Sequence, residues 1–305
     1  MKVLVTAELD PEGAALLTAA GLEVTQHLGD APMPPDALLE AARGASAVIA
    51  MPTDRISGAV MDAGPLRVVA NHAVGYDNVD LAAAQDRGVV VTNTPGVLTD
   101  ATADFAMALL LAAARHIVSG DRMTRSGGFK GWRPTLLRGL ELSGATLGIV
   151  GKGQIGSAVA HRAQAFGMQV VHHNRTSGVP LQVLLEMSDV VSLHCPLTAE
   201  THHLIDAEAL AVMKPTAILV NPARGPVVDE AALATALREG GIAAAALDVF
   251  EDEPRVHPDL FGLPNVLLAP HAGSATFTAR RKMAVCVAEN VIAVLSGRAP
   301  STPVS

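Results

Sequence analysis

Residues 146–174, TLGIVGKGQIGSAVAHRAQAFGMQVVHHN, decide the fold. They read as a strand that runs into Gly151-x-Gly153-x-x-Gly156, then a helix, then a second strand. Glycines at these positions permit a tight turn, close approach of backbone N–H groups to a pyrophosphate, and packing of the helix on the strand. The glycine pattern alone has little specificity. Because a strand precedes it and a helix and strand follow, it predicts a dinucleotide site rather than a glycine-rich turn without a ligand.

The same alternation of strand and helix continues on both sides of this unit. Short apolar runs typical of strands recur near 3–7, 22–27, 47–51, 68–72, 89–93, 190–195, 217–221, 244–249 and 266–269. Helical stretches between them predict parallel sheets with helices on both faces. We therefore expect an α/β fold of two doubly wound parallel-sheet domains, Rossmann- or flavodoxin-like, with a ligand cleft between them.

The boundary between the two domains is predicted at TPGVL, residues 94–98, where the alternation breaks. One long helix is expected from Thr99 to about Ser126, and a last helix from about Ser274 to Leu295 is expected to return to the first domain. The predicted domains are residues 1–97 plus 274–305, which bind substrate, and residues 98–273, an NAD(P)-binding Rossmann domain.

Composition excludes several functional classes. Half of the 305 residues are apolar and 17% are charged, which suits a packed core. The net charge of −8, with no basic cluster, argues against nucleic acid and anionic membranes as partners. The longest apolar run, 105–114, is far shorter than the about 20 residues of a membrane span. Since Cys195 and Cys286 show no CxxC spacing and the start reads as no signal peptide, we expect a cytoplasmic protein without metal or disulfide.

The end of the second strand, His173-Asn174-Arg175-Thr176, bears on the choice of cofactor. An NAD site carries Asp or Glu about 20 residues beyond the glycines, where it binds the ribose 2′-hydroxyl. No carboxylate stands at this strand end. Arg175 and Thr176 would instead hold a 2′-phosphate, so the sequence favours NADP over NAD. The alternative is that Arg175 stacks on the adenine without discriminating.

Three ionisable residues follow three strands of the second domain. Arg224 ends ILVNPARG, Glu253 lies in LDVFEDEP and His271 follows LLAP. In doubly wound sheets, ligands bind at the carboxyl ends of the strands. The alternatives are a surface ion pair for Arg224 and a capping role for His271, and the neighbouring Glu251 or Asp252 could be mistaken for Glu253.

The stretches NPARGPVVDEAAL, LDVFEDEP and PHAGSAT resemble the signatures of the D-isomer-specific 2-hydroxyacid dehydrogenases. The resemblance extends from Val74 to Met283. Within that family, GFKGWRP, LSGATLGIVGKGQIG and HAGSATFTARRKMA are most similar to the glyoxylate/hydroxypyruvate reductase branch. The resemblance implies transfer of a hydride from NADPH to a small 2-ketoacid, glyoxylate or hydroxypyruvate, by a homodimer.

The resemblance also implies catalytic roles that agree with the chemistry of the side chains. Arg224 would bind the substrate carboxylate and polarise the ketone oxygen. His271, as imidazolium, would donate a proton to that oxygen. Glu253 would hydrogen-bond the far ring nitrogen and fix the tautomer.

Substrate and cofactor contacts follow from looser matches to the family. In NHAVGYDNVD the backbone N–H groups of Val74 and Gly75 would bind the substrate carboxylate, and Met51 would line the substrate pocket or belong to the core. The alternative is a plain strand–turn–helix capped by Asp77 or Asn78. The expected cofactor contacts are Thr99, Gly151, Gly153, Gln154, Ile155, Gly156, Asn174, Arg175, Thr176, Cys195, Pro196, Thr201 and Asp248, the last accepting from the carboxamide.

Three further questions stay open at this point. Trp132, the only tryptophan, lies in the glycine-rich stretch 126–134, and we expect it at a subunit interface rather than buried in its own chain. The alternative functions are a related D-2-hydroxyacid dehydrogenase with another substrate and a non-catalytic NAD(P)-sensing or corepressor-like protein. The preferred ketoacid is not fixed, because one methylene changes affinity by only about 1–3 kcal/mol.

Overall fold

The computed structural model describes residues 1–304, which form two compact units. Unit 1 comprises Met1–Leu98 and the chain from Ala275 onward, and unit 2 comprises Thr99–Ser274. These boundaries differ by one residue from those expected from the sequence. Each unit contains its own sheet, so the predicted class, two parallel-sheet α/β domains, is confirmed.

Unit 1 is built on five parallel strands in the order β2-β1-β3-β4-β5. The strands are β1 (Lys2–Val5), β2 (Glu23–Gln26), β3 (Ala45–Ala50), β4 (Val68–Asn71) and β5 (Val90–Thr92). The helices that connect them are α1 (Pro11–Ala19), α2 (Pro35–Ala41), α3 (Gly58–Asp62) and α4 (Leu81–Asp86). Every residue of the inner strands β3 and β4 is buried, as expected where helices cover both faces of a parallel sheet.

The N-terminus of α4 corrects one of the sequence-based alternatives. Its cap is Asp80, whose Oδ1 accepts a hydrogen bond from the Ala83 backbone N–H at 2.9 Å. Neither Asp77 nor Asn78 caps the helix, because α4 begins at Leu81 and both lie too early in the chain. Asn78 is therefore available for another role.

Unit 2 is built on a seven-stranded sheet in the order β12-β11-β10-β9-β6-β7-β8. The strands are β6 (Thr146–Val150), β7 (Gln169–Asn174), β8 (Ser177–Gly178), β9 (Val190–Leu193), β10 (Ile218–Asn221), β11 (Ala244–Leu247) and β12 (Val266–Leu268). The helices are α5 (Thr99–Ala114), α6 (Ile117–Arg125), α7 (Gln154–Ala165), α8 (Leu181–Met187), α9 (Ala207–Val212) and α10 (Glu230–Glu239). The edge strand β8, which has two residues and is absent from the sequence-based prediction, pairs antiparallel with β7.

The single long helix expected from Thr99 is wrong, because α5 and α6 meet at a bend of 61°. His116 takes a left-handed conformation with φ 53°. The carbonyl of Ala114, the last residue of α5, accepts a hydrogen bond from Leu140 N at 2.9 Å. The segment of Leu140 can approach because residue 139 is glycine, since a Cβ there would lie 1.9 Å from Ala114 O. The carbonyl that would continue the helix is thus bound by a distant part of the chain.

Residues 1–304 contain no single helix that is long and apolar enough to cross a membrane. Helices α5 and α6 together reach the required length and composition, but only as a bent pair.

The last helix, α11 (Phe277–Leu295), packs in unit 1, as the sequence predicted. Thr276 caps it by accepting from Ala279 N at 3.1 Å. Its buried residues Ala284 and Val287 join the core formed with strands β1, β3 and β4. Gly13 lets α1 lie close against it, because a Cβ there would be 2.7 Å from Ala284 O.

His72, directly after β4, is a buried base. It is 6% exposed, and neither ring nitrogen has a hydrogen-bond partner among the described residues. Burial is the main reason that its pKa falls to about 4, and the charge of Arg280 lowers it further against the opposing effect of Asp10. His72 is therefore neutral in the folded protein at neutral pH.

This burial makes unit 1 sensitive to acid. Because the unfolded chain binds a proton near pH 6.5 and the folded chain only near pH 4, stability is present above pH 6.5 and falls as the pH drops toward 4. We expect His72→Leu to reduce the loss of unfolding free energy between pH 7 and pH 5 by about 2 kcal/mol. Urea titrations at both pH values measure this, with the exposed His161→Leu as control. An unchanged pH dependence in His72→Leu would contradict the assignment.

Candidate active site

The three predicted catalytic residues all lie in unit 2, at one edge of its sheet. Strands β10, β11 and β12 are adjacent and parallel, so their carboxyl ends meet. Arg224 follows β10, Glu253 lies in the loop after β11, and His271 follows β12. Sequence order along the chain therefore becomes spatial order across the sheet.

Glu253 and His271 form a direct hydrogen bond. Glu253 Oε2 lies 2.8 Å from His271 Nδ1, and its other oxygen accepts from Phe250 N at 3.1 Å. An ionised carboxylate only accepts, so Nδ1 carries the proton of this bond and Nε2 is the ring atom left for proton exchange.

The charge distribution keeps the Glu253 carboxylate ionised. Burial by itself raises the pKa of Glu253, but the hydrogen bond and charge of His271, the Phe250 N–H and the charge of Arg224 outweigh burial and bring the pKa below its usual range. Arg224 thus lies within electrostatic reach of Glu253. One negative side chain is flanked by two basic ones.

Asp248, at the end of β11, fixes the turn that presents His271. His271 has a left-handed backbone with φ 52°, which is uncommon outside glycine. Its N–H donates to Asp248 O at 2.8 Å, while the Asp248 carboxylate accepts from Ala272 N at 2.7 Å and from Gly273 N at 2.8 Å. Asp248 is 1% exposed, and burial raises its pKa against those two bonds and the charge of His271. Its predicted bond to a carboxamide would have to be made in addition to them.

The glycine loop after β6 has the shape that a dinucleotide requires. Gly151 has φ 92°, and a Cβ on it would lie 2.5 Å from Cys195 N. A Cβ on Gly156 would lie 2.4 Å from Gly151 O. At Gly153, by contrast, a Cβ would meet no atom within 4 Å. The first and third glycines are needed by the protein itself, whereas the second leaves space where α7 begins at Gln154.

The end of β7 lies beside this loop. Asn174 Oδ1 accepts from Lys152 N at 2.6 Å, so the predicted Asn174 holds the glycine loop through its side chain. Arg175 and Thr176 are exposed in the turn between β7 and β8. An arginine and a hydroxyl therefore stand where a ribose 2′-substituent is bound in this type of fold.

A carboxylate that sequence reasoning did not identify, Glu200, interacts electrostatically with Arg175. The pKa of Glu200 is lowered by its hydrogen bond with Thr198 and also by the charge of Arg175. Glu200 and Arg175 are both exposed. Because the two residues lie on different loops, no pattern in the sequence indicates that they interact.

The remaining predicted cofactor residues of unit 2 surround the start of α7 and the loop after β9. Thr99 Oγ1 donates to Gln154 Oε1 at 3.4 Å, and Thr201 Oγ1 donates to Pro196 O at 2.7 Å. Ile155 is half-buried against the core of the unit. Cys195 is buried, and burial raises the pKa of its thiol to about 11.

In unit 1 the loop of Val74 and Gly75 is fixed through its carbonyl groups. Asn93 Nδ2 donates to Val74 O at 2.8 Å, and Asn71 Nδ2 donates to Gly75 O at 2.6 Å. Over residues 1–304, no protein acceptor is recorded for the N–H groups of Val74 and Gly75. Neither asparagine was identified from the sequence. Their side-chain amides bind the two carbonyl oxygens and do not occupy the two N–H groups.

The backbone of Met51, which follows β3, is also fixed by side chains. Its N–H donates to Asp54 Oδ2 at 2.7 Å, and its carbonyl accepts from Asn78 Nδ2 at 3.0 Å. Thr6 Oγ1 also donates to the Asp54 carboxylate, which is buried. The Met51 side chain is partly buried against the core of unit 1.

Trp132 is not buried in its own chain, since it is 81% exposed. Phe129 in the same loop and Ile117 on α6 are also exposed, and α6 buries none of its residues. Unit 2 therefore exposes three large apolar side chains on α6 and in the loop 126–134.

Comparison with known proteins identifies the family. Residues 107–273 match the family described as D-isomer specific 2-hydroxyacid dehydrogenase, NAD binding domain. The chain belongs to this family. Its unit 2 is thus a nicotinamide-dinucleotide-binding domain, and the resemblance inferred from the sequence is confirmed.

Similar proteins of known name cover the whole chain. A glyoxylate reductase of Thermococcus gammatolerans is 49% identical over 100% of this chain and 96% of its own length. A crystal structure of a protein from Thermus thermophilus has a TM-score of 0.95 at 50% identity, with full coverage of both chains. An NADPH-dependent glyoxylate/hydroxypyruvate reductase of Sinorhizobium meliloti, solved with NADP and malonate, has a TM-score of 0.88 at 38% identity over 100% of this chain and 96% of its own.

Metal-ligating side chains do not cluster in the part of the chain that the structure describes. Within residues 1–304, no group of three or more His, Cys, Asp or Glu side chains could hold a metal ion.

Substitutions at two glycines of the loop after β6 can separate an effect on stability from an effect on dinucleotide binding. We expect Gly153→Ala to keep the melting temperature within about 2 °C but to weaken dinucleotide binding at least tenfold, since the added Cβ points into the open space. Gly151→Ala is expected to destabilise the protein, because its Cβ would meet Cys195 N and its φ is positive. Calorimetric melting and titration measure both. Equal stability of the two variants would contradict this division.

Proposed function

We propose that the protein is a reductase that uses NADPH to convert a small 2-ketoacid, glyoxylate or hydroxypyruvate, to the 2-hydroxy acid. The observation that carries the proposal is the 2.8 Å hydrogen bond between Glu253 and His271. It lies at the carboxyl end of the unit 2 sheet, where Arg224 also lies and lowers the pKa of Glu253. The glyoxylate reductases that match the chain over its full length support the substrate class.

The glycine loop and the end of β7 would hold a nicotinamide dinucleotide, which when bound would supply the hydride for the carbonyl carbon. The guanidinium group of Arg224, which is planar and always charged, binds the substrate carboxylate and stabilises the negative charge that develops on the ketone oxygen. His271 gives the proton on Nε2 to that oxygen, which completes the hydroxyl group. Glu253 keeps Nδ1 protonated throughout, so the neutral imidazole that remains has the tautomer ready to take a new proton at Nε2.

Residues of unit 1 are proposed as further substrate contacts on their own geometry. The available N–H groups of Val74 and Gly75 suit a carboxylate oxygen, because backbone donors held in a fixed loop bind anions without reorganisation. The Met51 backbone is fixed on both sides, which gives its flexible side chain a defined origin.

Substitution of the three residues tests the mechanism. We expect His271→Ala to lower kcat for glyoxylate by about 10²–10⁴-fold, the usual contribution of a general acid. Arg224→Ala should raise KM and lower kcat, since it binds both the ground state and the developing charge. Steady-state assays with NADPH measure these effects.

The matched control is the neighbouring acid. Asp252 pairs with Arg255 on the surface, and Asp252→Asn should leave kcat within about twofold, whereas Glu253→Gln should lower it at least tenfold. Near-normal turnover by His271→Ala would contradict the mechanism. A wild-type protein that reduces no 2-ketoacid would contradict the proposed function.

The preference for NADPH is proposed from Arg175, with Thr176 and Asn174 beside it. A guanidinium binds a phosphate dianion strongly in this exposed turn, and no carboxylate of β7 competes for a ribose hydroxyl. The reductase of Sinorhizobium meliloti, which is solved with NADP, supports the same cofactor. The negative charge of Glu200, which interacts with the charge of Arg175, would oppose the phosphate.

Two substitutions test this preference in opposite directions. Arg175→Ala should raise KM for NADPH at least tenfold and leave KM for NADH nearly unchanged, because only NADPH carries the phosphate. Glu200→Gln should lower KM for NADPH, since it removes a negative charge from the neighbourhood of the phosphate. Initial rates with both cofactors measure the effects, and tenfold better use of NADH by the wild type would overturn the assignment.

We also propose a homodimer, formed through the exposed apolar side chains of α6 and the loop 126–134. A single exposed tryptophan is ordinary, but here Trp132 is accompanied by exposed Phe129 in the same loop and by exposed Ile117 on α6, a helix that buries none of its residues. We expect twice the chain mass in light scattering, and a shift toward the monomer in the double variant Trp132→Ser, Phe129→Ser. A monomeric wild type would refute it.

A further inference from the structure

The loop that carries Glu253 is closed by a second, buried carboxylate. Glu230, the first residue of α10, is 3% exposed. Its Oε1 accepts from Glu251 N at 2.8 Å, and its Oε2 accepts from His257 N at 3.1 Å. These two donors lie on either side of Glu253 in the chain. One carboxylate therefore holds both ends of residues 251–257, the segment that carries Glu253 and is called the Glu253 loop below.

Glu251 in turn binds the backbone of Glu230. Glu230 N donates to Glu251 Oε1 at 2.6 Å, and the other oxygen of Glu251 lies 3.1 Å from His203 Nε2. Each of the two glutamates thus binds the backbone of the other. This reciprocal arrangement fixes the start of α10 against the Glu253 loop in two directions.

Arg224 depends on the same loop. Gly225, the next residue, touches the backbone of Phe250 so closely that a Cβ would lie 1.9 Å from Phe250 C and O. Phe250 N is also the donor to Glu253 Oε1. A displacement of this loop would therefore disturb the surroundings of Arg224 and Glu253 together.

Stability alone does not account for a carboxylate at position 230. Burial raises the pKa of Glu230, its two backbone bonds lower it, and the negative charge of Glu251 raises it again. Burying a charged group beside another of the same sign is costly unless its hydrogen bonds compensate. The gain is geometric, since a carboxylate that accepts two N–H groups fixes both at once.

We propose that Glu230 is a positioning residue of the reductase: its carboxylate holds the Glu253 loop so that Glu253 meets His271 Nδ1. This inference rests on the proposed function. A glutamine at this position retains one acceptor but sets an NH₂ group against the other backbone N–H. The loop would then lose one of its two attachments, and a shift of about 1 Å at a catalytic group can cost as much as 10²-fold in rate.

The test compares Glu230→Gln with Glu239→Gln, the same change at an exposed position of the same helix. In Glu230→Gln we expect kcat to fall at least tenfold, while KM for the ketoacid and the Kd of NADPH stay within about twofold. Glu239→Gln should match the wild type. A purely structural role would change the melting temperature without this separation of kcat from KM.

A measurement on the resting protein does not depend on activity. The Nδ1 proton of His271 should give a downfield ¹H NMR signal, assigned by its loss in His271→Ala and in Glu253→Gln. We expect it to broaden or vanish in Glu230→Gln and to persist in Glu239→Gln. If it persists unchanged in a folded Glu230→Gln protein, the proposal is overturned. If it behaves as expected while the wild type reduces no ketoacid, only the proposed function fails.

A second variant covers the case in which Glu230→Gln does not fold. Glu251→Ala removes the return bond from a side chain that is 31% exposed, so folding tolerates the truncation better. It should weaken the Nδ1 signal and lower kcat in the same direction. A wild-type signal and wild-type kcat in Glu251→Ala would refute the reciprocal arrangement.

Discussion

The hydrogen bond between Glu253 and His271 is the interaction on which the site depends, because it sets which ring nitrogen can exchange a proton. Two other buried carboxylates hold its partners by their backbones. Asp248 fixes the left-handed turn of His271, and Glu230 fixes the loop of Glu253. The site is thus a set of carboxylates with different tasks, in which Glu253 bonds the imidazole of His271 while Asp248 and Glu230 accept from N–H groups.

Much of the architecture could be predicted from periodicity and glycine position. Strand and helix alternation implied parallel sheets, and parallel sheets bring residues after successive strands to one edge, which is why Arg224, Glu253 and His271 meet in unit 2. The break after Ala114 could not be predicted, because its cause is a segment containing Gly139 that local pattern does not connect with α5. The cap Asp80 was missed for a smaller reason, since several acceptors precede α4 and only the backbone selects among them.

The site was less predictable than the fold. Asn71, Asn93 and Glu230 carry no chemistry of their own, and their importance lies in which backbone groups they bind. The contacts of Asn93 and Glu230 join residues about 20 positions apart, and that of Asn71 depends on the conformation of the loop after β4, so neither spacing nor composition indicates them. The electrostatic interaction between Glu200 and Arg175 likewise joins two loops that no sequence pattern connects. Sequence reasoning finds groups that react, whereas coordinates are needed to find the groups that hold them still.

The burial of Cys195 has a practical consequence. With a thiol pKa of about 11, only about one molecule in ten thousand carries the thiolate at neutral pH, and the sulfur is shielded from solvent as well. Burial also raises the pKa of the other cysteine, Cys286. Alkylating agents and mild oxidants should therefore spare Cys195 and the neighbourhood of the dinucleotide loop.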